Sequence, residues 1–313
     1  MIRGARAIPC AAPDAQECIM QQFIQQLING IALGGLYALT AIGYSLVYGV
    51  MELVNFSHGA VYMLGAYIFY ILFEICGAPL WLSVPGALIA AGITGLVIQK
   101  VALTPFARKH LPLVYSLIAT IGLSIVIQNA MLLIMGSETR RFPTLFEGMF
   151  WDVADFRISV LTLFIIGLSI ALITALSLFL KLTRLGQAMR ATAQNRFAAT
   201  LMGIPAGRIV ALCFFVGGVL AAVAGILSSM NYRSVDISIG TSMGVKAFAA
   251  TVLGGIGSVG GAALGGLIIG ISEVLVAGYI SASLRDMAAY IILIAILIIR
   301  PSGLMGARAQ RRV

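Results

Sequence analysis

The sequence predicts an all-α, polytopic helical membrane protein, and three observations carry that prediction. Hydrophobic types make up 60% of its 313 residues, where a soluble domain has about 45–50%. Charged types make up only 10%, against about 25% in soluble domains. The apolar residues also come in continuous runs near the roughly 20 residues that a membrane-crossing helix needs. Such a composition excludes an ordinary cytosolic enzyme, and it excludes disorder, which needs low hydrophobicity and high charge. Runs that are continuous rather than alternating exclude a transmembrane barrel. In lipid only helices are then left to satisfy the backbone.

Residues 1–21 stand apart as a polar N-terminal tail. They contain Arg3, Arg6, Pro9, Pro13, Asp14 and Glu17, with no apolar core of a signal peptide, and read as disordered. Met20 offers an alternative start, which the intact mass of the native protein would test. Nine hydrophobic segments follow: 23–49, 59–76, 80–99, 113–135, 158–180, 209–230, 243–255, 261–280 and 284–299. The first is long enough to tilt or to break. Segment 243–255 is too short to span comfortably and ends in glycines. The expected organisation is therefore a tail (1–21), a membrane domain (22–306) containing a basic loop (181–208), and a basic C-terminal tail (307–313).

The net charge is +9, from 20 Lys+Arg against 11 Asp+Glu. In a membrane protein the distribution of that excess sets orientation, because Lys and Arg collect on the cytoplasmic side. Lys100, Arg108 and Lys109 form one acid-free region. Lys181, Arg184, Arg190, Arg196 and Arg208 form a second, and Arg300, Arg308, Arg311 and Arg312 a third. The loop 136–157 mixes Arg140, Arg141 and Arg157 with Glu138, Glu147, Asp152 and Asp155. With the segments as counted, the three basic regions fall on one side and the mixed loop on the other. The C-terminus is then cytoplasmic and the N-terminus outside, unless the first segment hides a break.

Several features could carry chemistry. Between the first two segments lies Gly49-Val-Met-Glu-Leu-Val-Asn-Phe-Ser-His-Gly59. Asn55 and His58, with Glu52 and Ser57, fit irregular backbone lining a passage. They equally fit a cytoplasmic turn with Ser57 or Asn55 as a helix N-cap. The glycine cluster from Gly254 through Gly255 and Gly257 to Gly266 matches G-x-G-x-x-G on paper. No soluble βαβ unit surrounds it, so a dinucleotide site is excluded, and no Lys-Ser/Thr follows to make a Walker loop. It reads as a broken helix with small-xxx-small pairs (Gly261/Gly265, Gly266/Gly270) for close packing, or as direct substrate contact.

Loop 181–208 is long for a bare connection. A helix is expected over 188–202, with Leu185, Met189, Ala193, Phe197 and Leu201 in one row, ended by Gly203 and Pro205. Its narrow, Ala-rich face suits a protein partner better than a lipid surface. Of the isolated ionisable residues, Glu74 and Lys246 are expected to snorkel outward, and Glu273 is the pathway candidate. The four cysteines (Cys10, Cys18, Cys76, Cys213) make no C-x-x-C pair, so neither a disulfide framework nor a metal site is read from them. No catalytic residue is assigned: neither a Ser-His-Asp set nor paired carboxylates appear.

Four stretches then point to a family: Asn29-Gly-Ile-Ala-Leu-Gly-Gly-Leu-Tyr-Ala-Leu, Gly43-Tyr-Ser-Leu-Val-Tyr-Gly49, Asn55-Phe-Ser-His-Gly59 and Met63-Leu-Gly-Ala-Tyr67. So do Gly186-Gln-Ala-Met-Arg-Ala-Thr-Ala, Leu201-Met-Gly-Ile204, Ala250-Thr-Val-Leu-Gly-Gly-Ile-Gly-Ser258 and Pro301-Ser-Gly-Leu-Met-Gly306. The chain resembles permease subunits of branched-chain amino-acid ABC transporters (LivH type) over 20–306. The resemblance implies an ABC importer permease fold in the cell inner membrane and no cofactor in this chain. It also implies ATP–Mg on two cytoplasmic ATPase subunits, a related LivM-like permease and a periplasmic substrate-binding protein. Gly186, Arg190, Ala191, Ala193 and Gly203 are the residues expected to couple to the ATPases. Urea and short-amide permeases share these motifs, and an ion-coupled secondary transporter or a channel is the alternative of another class.

Overall fold

The computed structural model describes residues 15–108, 112–146, 148–153, 156–300 and 302–306. Residues 1–14 of the expected tail, Lys109, His110, Glu147, Asp155, Pro301 and the C-terminal tail 307–313 lie outside the described residues. The described membrane part is predominantly helical. Eight described helices are long and apolar enough to cross a bilayer, and a ninth, over Ile239–Gly254, is apolar but shorter. Each of the nine expected segments corresponds to one of them.

Helix α1 (Ala15–Met51) runs without interruption, so the first segment crosses once and hides no break. Its first turns take in residues 15–21, which were expected to belong to the tail. A helix that is apolar on all faces is built for burial. In α1, 94% of its most apolar stretch is buried inside the chain, which makes it the centre of the bundle. Helix α2 (His58–Tyr70) is prolonged by a π-helical turn, Ile71–Ile75. Helix α3 (Leu80–Ile98) continues through another, Gln99–Leu103, into the short α4 (Thr104–Arg108). Helix α5 (Leu113–Met135) leads to strand β1 (Arg140–Arg141) and the hairpin of β2 (Phe150–Val153) with β3 (Phe156–Ser159).

Helix α6 (Val160–Leu182) is followed by α7 (Arg184–Gln194) and α8 (Arg196–Leu201). Next come α9 (Ala206–Tyr232), strand β4 (Ser234–Val235), α10 (Ile239–Gly254), α11 (Val259–Tyr279) and α12 (Arg285–Ile299). Helix α1 packs chiefly on α11 and α9. Glycines make the first seam tight: a β-carbon on Gly270 would overlap the main chain of Gly34. Gly265 is pressed in the same way on the Ala250 carbonyl of α10. Both small-xxx-small pairs thus serve close helix packing.

Contacts between distant segments sort the loops into two ends. Strand β4 pairs with β1, and Arg157 accepts a hydrogen bond at its carbonyl from Gln25 Nε2 at 3.4 Å. The mixed loop, the start of α1 and the α9–α10 connection therefore share one end. At the other end, residues 49–52 and 192–197 line one cleft. Leu304 and Met305 donate to the carbonyls of Leu253 and Gly254 at 2.8 and 2.9 Å. Helix α3 runs antiparallel along α9, with Gly95 against Phe214 and Ala91 against Gly218, which brings Lys100 to this end as well. The described parts of the three basic regions thus gather opposite the mixed loop.

Candidate functional site

Four places in this bundle concentrate polar chemistry. The first is the connection between α1 and α2. Glu52 ends α1 in the left-handed region (φ 55), and the chain that follows is buried at Leu53, Asn55 and Ser57. Asn55 shapes it: Oδ1 accepts from the Ser57 N–H at 3.2 Å and the Ser57 hydroxyl at 2.5 Å. Ser57 holds the N-cap position of α2, but its side chain does not cap the helix. The ring of His58 sits 4.6 Å from that of Tyr44 and packs so closely on Gly43 that any side chain there would overlap it. Gly43 and Tyr44 lie about two turns before the end of α1, so the chain folds back from that end into the bundle. The irregular backbone here is tolerated because protein surrounds it and Asn55 and Ser57 bond to one another.

Sequence reasoning missed the residues that close this segment. Phe56 donates its N–H to Thr120 Oγ1 of α5 at 3.3 Å. Its ring meets Phe248 of α10 at 5.6 Å. The spacing Ser116, Thr120, Ser124, Gln128 puts a polar stripe on one face of the otherwise apolar α5. That i, i+4 pattern was the available signal.

The second place is a buried charge network. Lys246 Nζ lies 2.7 Å from Glu273 Oε1 and 2.6 Å from Asp286 Oδ1. Arg285 Nε reaches the same Glu273 oxygen at 2.5 Å, and Tyr37 donates to Oε2 at 2.5 Å. An Nη of Arg285 bonds to the Tyr232 hydroxyl. Lys246 therefore does not snorkel: its side chain is 6% exposed and points into the bundle, where two carboxylates receive it. An unpaired ammonium at that depth would cost several kcal/mol. Glu273 is fully buried with both oxygens engaged, so it is a hub of three helices rather than the wall of an open space. Glu74, in contrast, is exposed at the end of the π-helical turn.

The third place adjoins this network at the end of the mixed loop. A cleft of about 390 Å³ opens between α1, α6, α9, α11 and α12, with Arg285 in its wall. The fourth is at the opposite end, where the expected single helix over 188–202 is two helices. Asn195 leaves helical geometry (φ −157, ψ 102) and caps α8, its Oδ1 accepting from the Ala198 N–H at 2.9 Å. The row expected across this region is broken there. Met189 is buried, whereas Phe197 and Leu201 are 75% and 72% exposed.

Among the expected coupling residues, Gly186 is buried where α7 folds onto α6, and any side chain there would overlap the Phe179 carbonyl. Arg190 and Ala193 are exposed, Ala191 is half-buried, and Gly203 is exposed with φ 82. At the glycine cluster, Gly254 is pressed on Gly261. Gly255 (φ 105) lies against Met305 and Gly306, and Gly257 (φ 87) lies beside Gly49. The structure brings Gly254, Gly255 and Gly257 to the end that carries α7 and α8, away from Glu273.

The family model described as "Branched-chain amino acid transport system / permease component" matches residues 26–298. The "High-affinity branched-chain amino acid transport system permease protein LivH" of Escherichia coli (strain K12) is 39% identical over 93% of this chain and 98% of its own length. BraD of Pseudomonas aeruginosa, with the same description, is 38% identical over 93% and 98%. A "Probable branched-chain amino acid transport permease protein LivH" of Methanocaldococcus jannaschii is 29% identical over 90% and 91%.

Proposed function

The chain belongs to the branched-chain amino acid transport permease family, and on that premise we propose that it is the membrane-spanning subunit of an ATP-driven ABC importer, moving leucine, isoleucine or valine inward across the inner membrane. The observation that carries this reading is likeness over nearly the full length of permeases so described. The chain is a transport subunit rather than an enzyme, and hydrolysis of ATP–Mg belongs to two separate subunits. A related, LivM-like permease completes the membrane part, and a periplasmic binding protein delivers the cargo. The basic end faces the cytoplasm, as Lys and Arg distribution favours, which puts the N-terminus outside.

The exposed apolar side chains of Phe197, Leu201 and Met202 supply a face for the ATPases. Arg190 and Ala193 are exposed on α7, and Gly186 makes the tight joint to α6. Movement of α7 and α8 is passed through that joint to α6, and through the cleft at residues 49–52 to the end of α1. The segment at Asn55 and His58, attached to the same end of α1, rearranges with it and opens the passage. Alternating access then follows ATP binding and release.

Reconstitution of the complex in vesicles tests this. ATP-dependent uptake of leucine, isoleucine or valine is expected, and it is lost when Gly186 is replaced by Leu although the subunits still co-purify. Uptake by the lone chain, without ATP, would overturn the reading.

A further inference from the structure

The cleft beside the charge network has no part in ATPase docking. Its volume of about 390 Å³ falls within the roughly 300–1,000 Å³ of small-molecule sites. Its lining is divided in character. Leu33, Val274 and Ala277 supply apolar surface, and Asn29, Asn231 and Arg285 supply polar groups. Arg285 is the informative member. Its Nε is held by Glu273 and one Nη by Tyr232, which fixes the guanidinium. A guanidinium has five N–H donors, so donors are left over.

Lys246 and Arg285 share the buried Glu273, and Lys246 is also paired with Asp286, so the four charges balance. A carboxylate entering from the cleft meets the guanidinium of Arg285 in its wall, with the donors that Glu273 and Tyr232 leave over. The amide oxygens of Asn29 and Asn231 can accept from an ammonium group.

We propose that this cleft is an outward-facing site for a small zwitterionic amino acid, with its carboxylate on Arg285, its ammonium on Asn29 and Asn231, and a branched apolar side chain on Leu33, Val274 and Ala277. The proposal rests on the cargo and orientation assigned above. It differs from them in placing a specific stop inside this one subunit.

The test uses the whole transporter in intact cells, with Cys10, Cys18, Cys76 and Cys213 replaced by Ala and Asn231→Cys introduced. A membrane-impermeant maleimide should label position 231 from outside. Leucine at about ten times its half-protecting concentration should slow labelling about tenfold. The same concentration of 3-methylbutylamine, which is leucine without its carboxylate, should not. An unreachable cysteine, an unchanged rate with leucine, or equal protection by the amine would overturn the site. A second variant, Ala277→Phe, fills the cleft and should lose leucine uptake; wild-type uptake by it would also overturn the site. If it fails to assemble, the labelling result decides. Leucine uptake by the unmodified transporter is measured alongside. Uptake without protection rejects the cleft alone, and no uptake rejects the assigned cargo.

Discussion

Glu273 sits where water cannot reach it, and three side chains from three other helices stand in for solvent. Removing one member of a buried charge set leaves the others uncompensated, at a cost of about 3–5 kcal/mol. Glu273→Ala should therefore lower the thermal unfolding midpoint of the detergent-solubilised protein sharply. The pair Lys246→Met with Glu273→Met should recover most of that loss. A single variant as stable as the wild type would show that the network contributes nothing. At the other end of the bundle, Gly254→Ala places a methyl on the Gly261 main chain. Overpacking of that kind costs about 1–3 kcal/mol, readable in the same melting experiment. Glu273 was visible in the sequence as an isolated acid in an apolar run. Its partners were not, because Lys246 is 27 residues away and Tyr37 is 236 away, and no periodicity links them.

Among the elements, the most informative departure from expectation is the division of the basic loop into α7 and α8. The i, i+4 row that suggests one helix continues on paper through Asn195. Asparagine is a weak interior helix residue and a strong N-cap, and here its side chain starts a new helix instead. Asn195→Ala should cost about 1 kcal/mol of local stability, seen as faster amide exchange in α8, with less ATP-driven uptake. Phe197→Ser should leave the melting midpoint unchanged and weaken co-purification of the ATPases; retention at wild-type level would argue against this face. The segment after α1 was legible only in outline. Hydropathy marks a polar break of a few residues but carries no information on depth. Whether such a break stays at the surface or folds back depends on cavities that other helices leave, here beside Gly43 and Gly59.

For the molecule as a whole, span number and the grouping of loops were legible, because both follow from run length and charge placement. What remained hidden was the radial order of the helices, since a run of apolar residues looks alike whether it faces lipid or protein. The sidedness assigned here makes a direct prediction. Cysteine at position 203 should react with an impermeant maleimide only in inverted vesicles, and Ser137→Cys only in intact cells. The reverse pattern would invert the molecule and remove the docking scheme with it.

The central place of α1 has a consequence for biogenesis. This helix leaves the ribosome long before the neighbour it packs on most, α11. Through most of synthesis it must wait in lipid, which its apolar character permits, with Tyr37 and Thr251's acceptor at Ala41 still lacking their mates. A chain prematurely stopped before α11 would thus lack more than its final crossings. Its innermost helix would have no socket, and cellular quality control should degrade such a fragment as a whole.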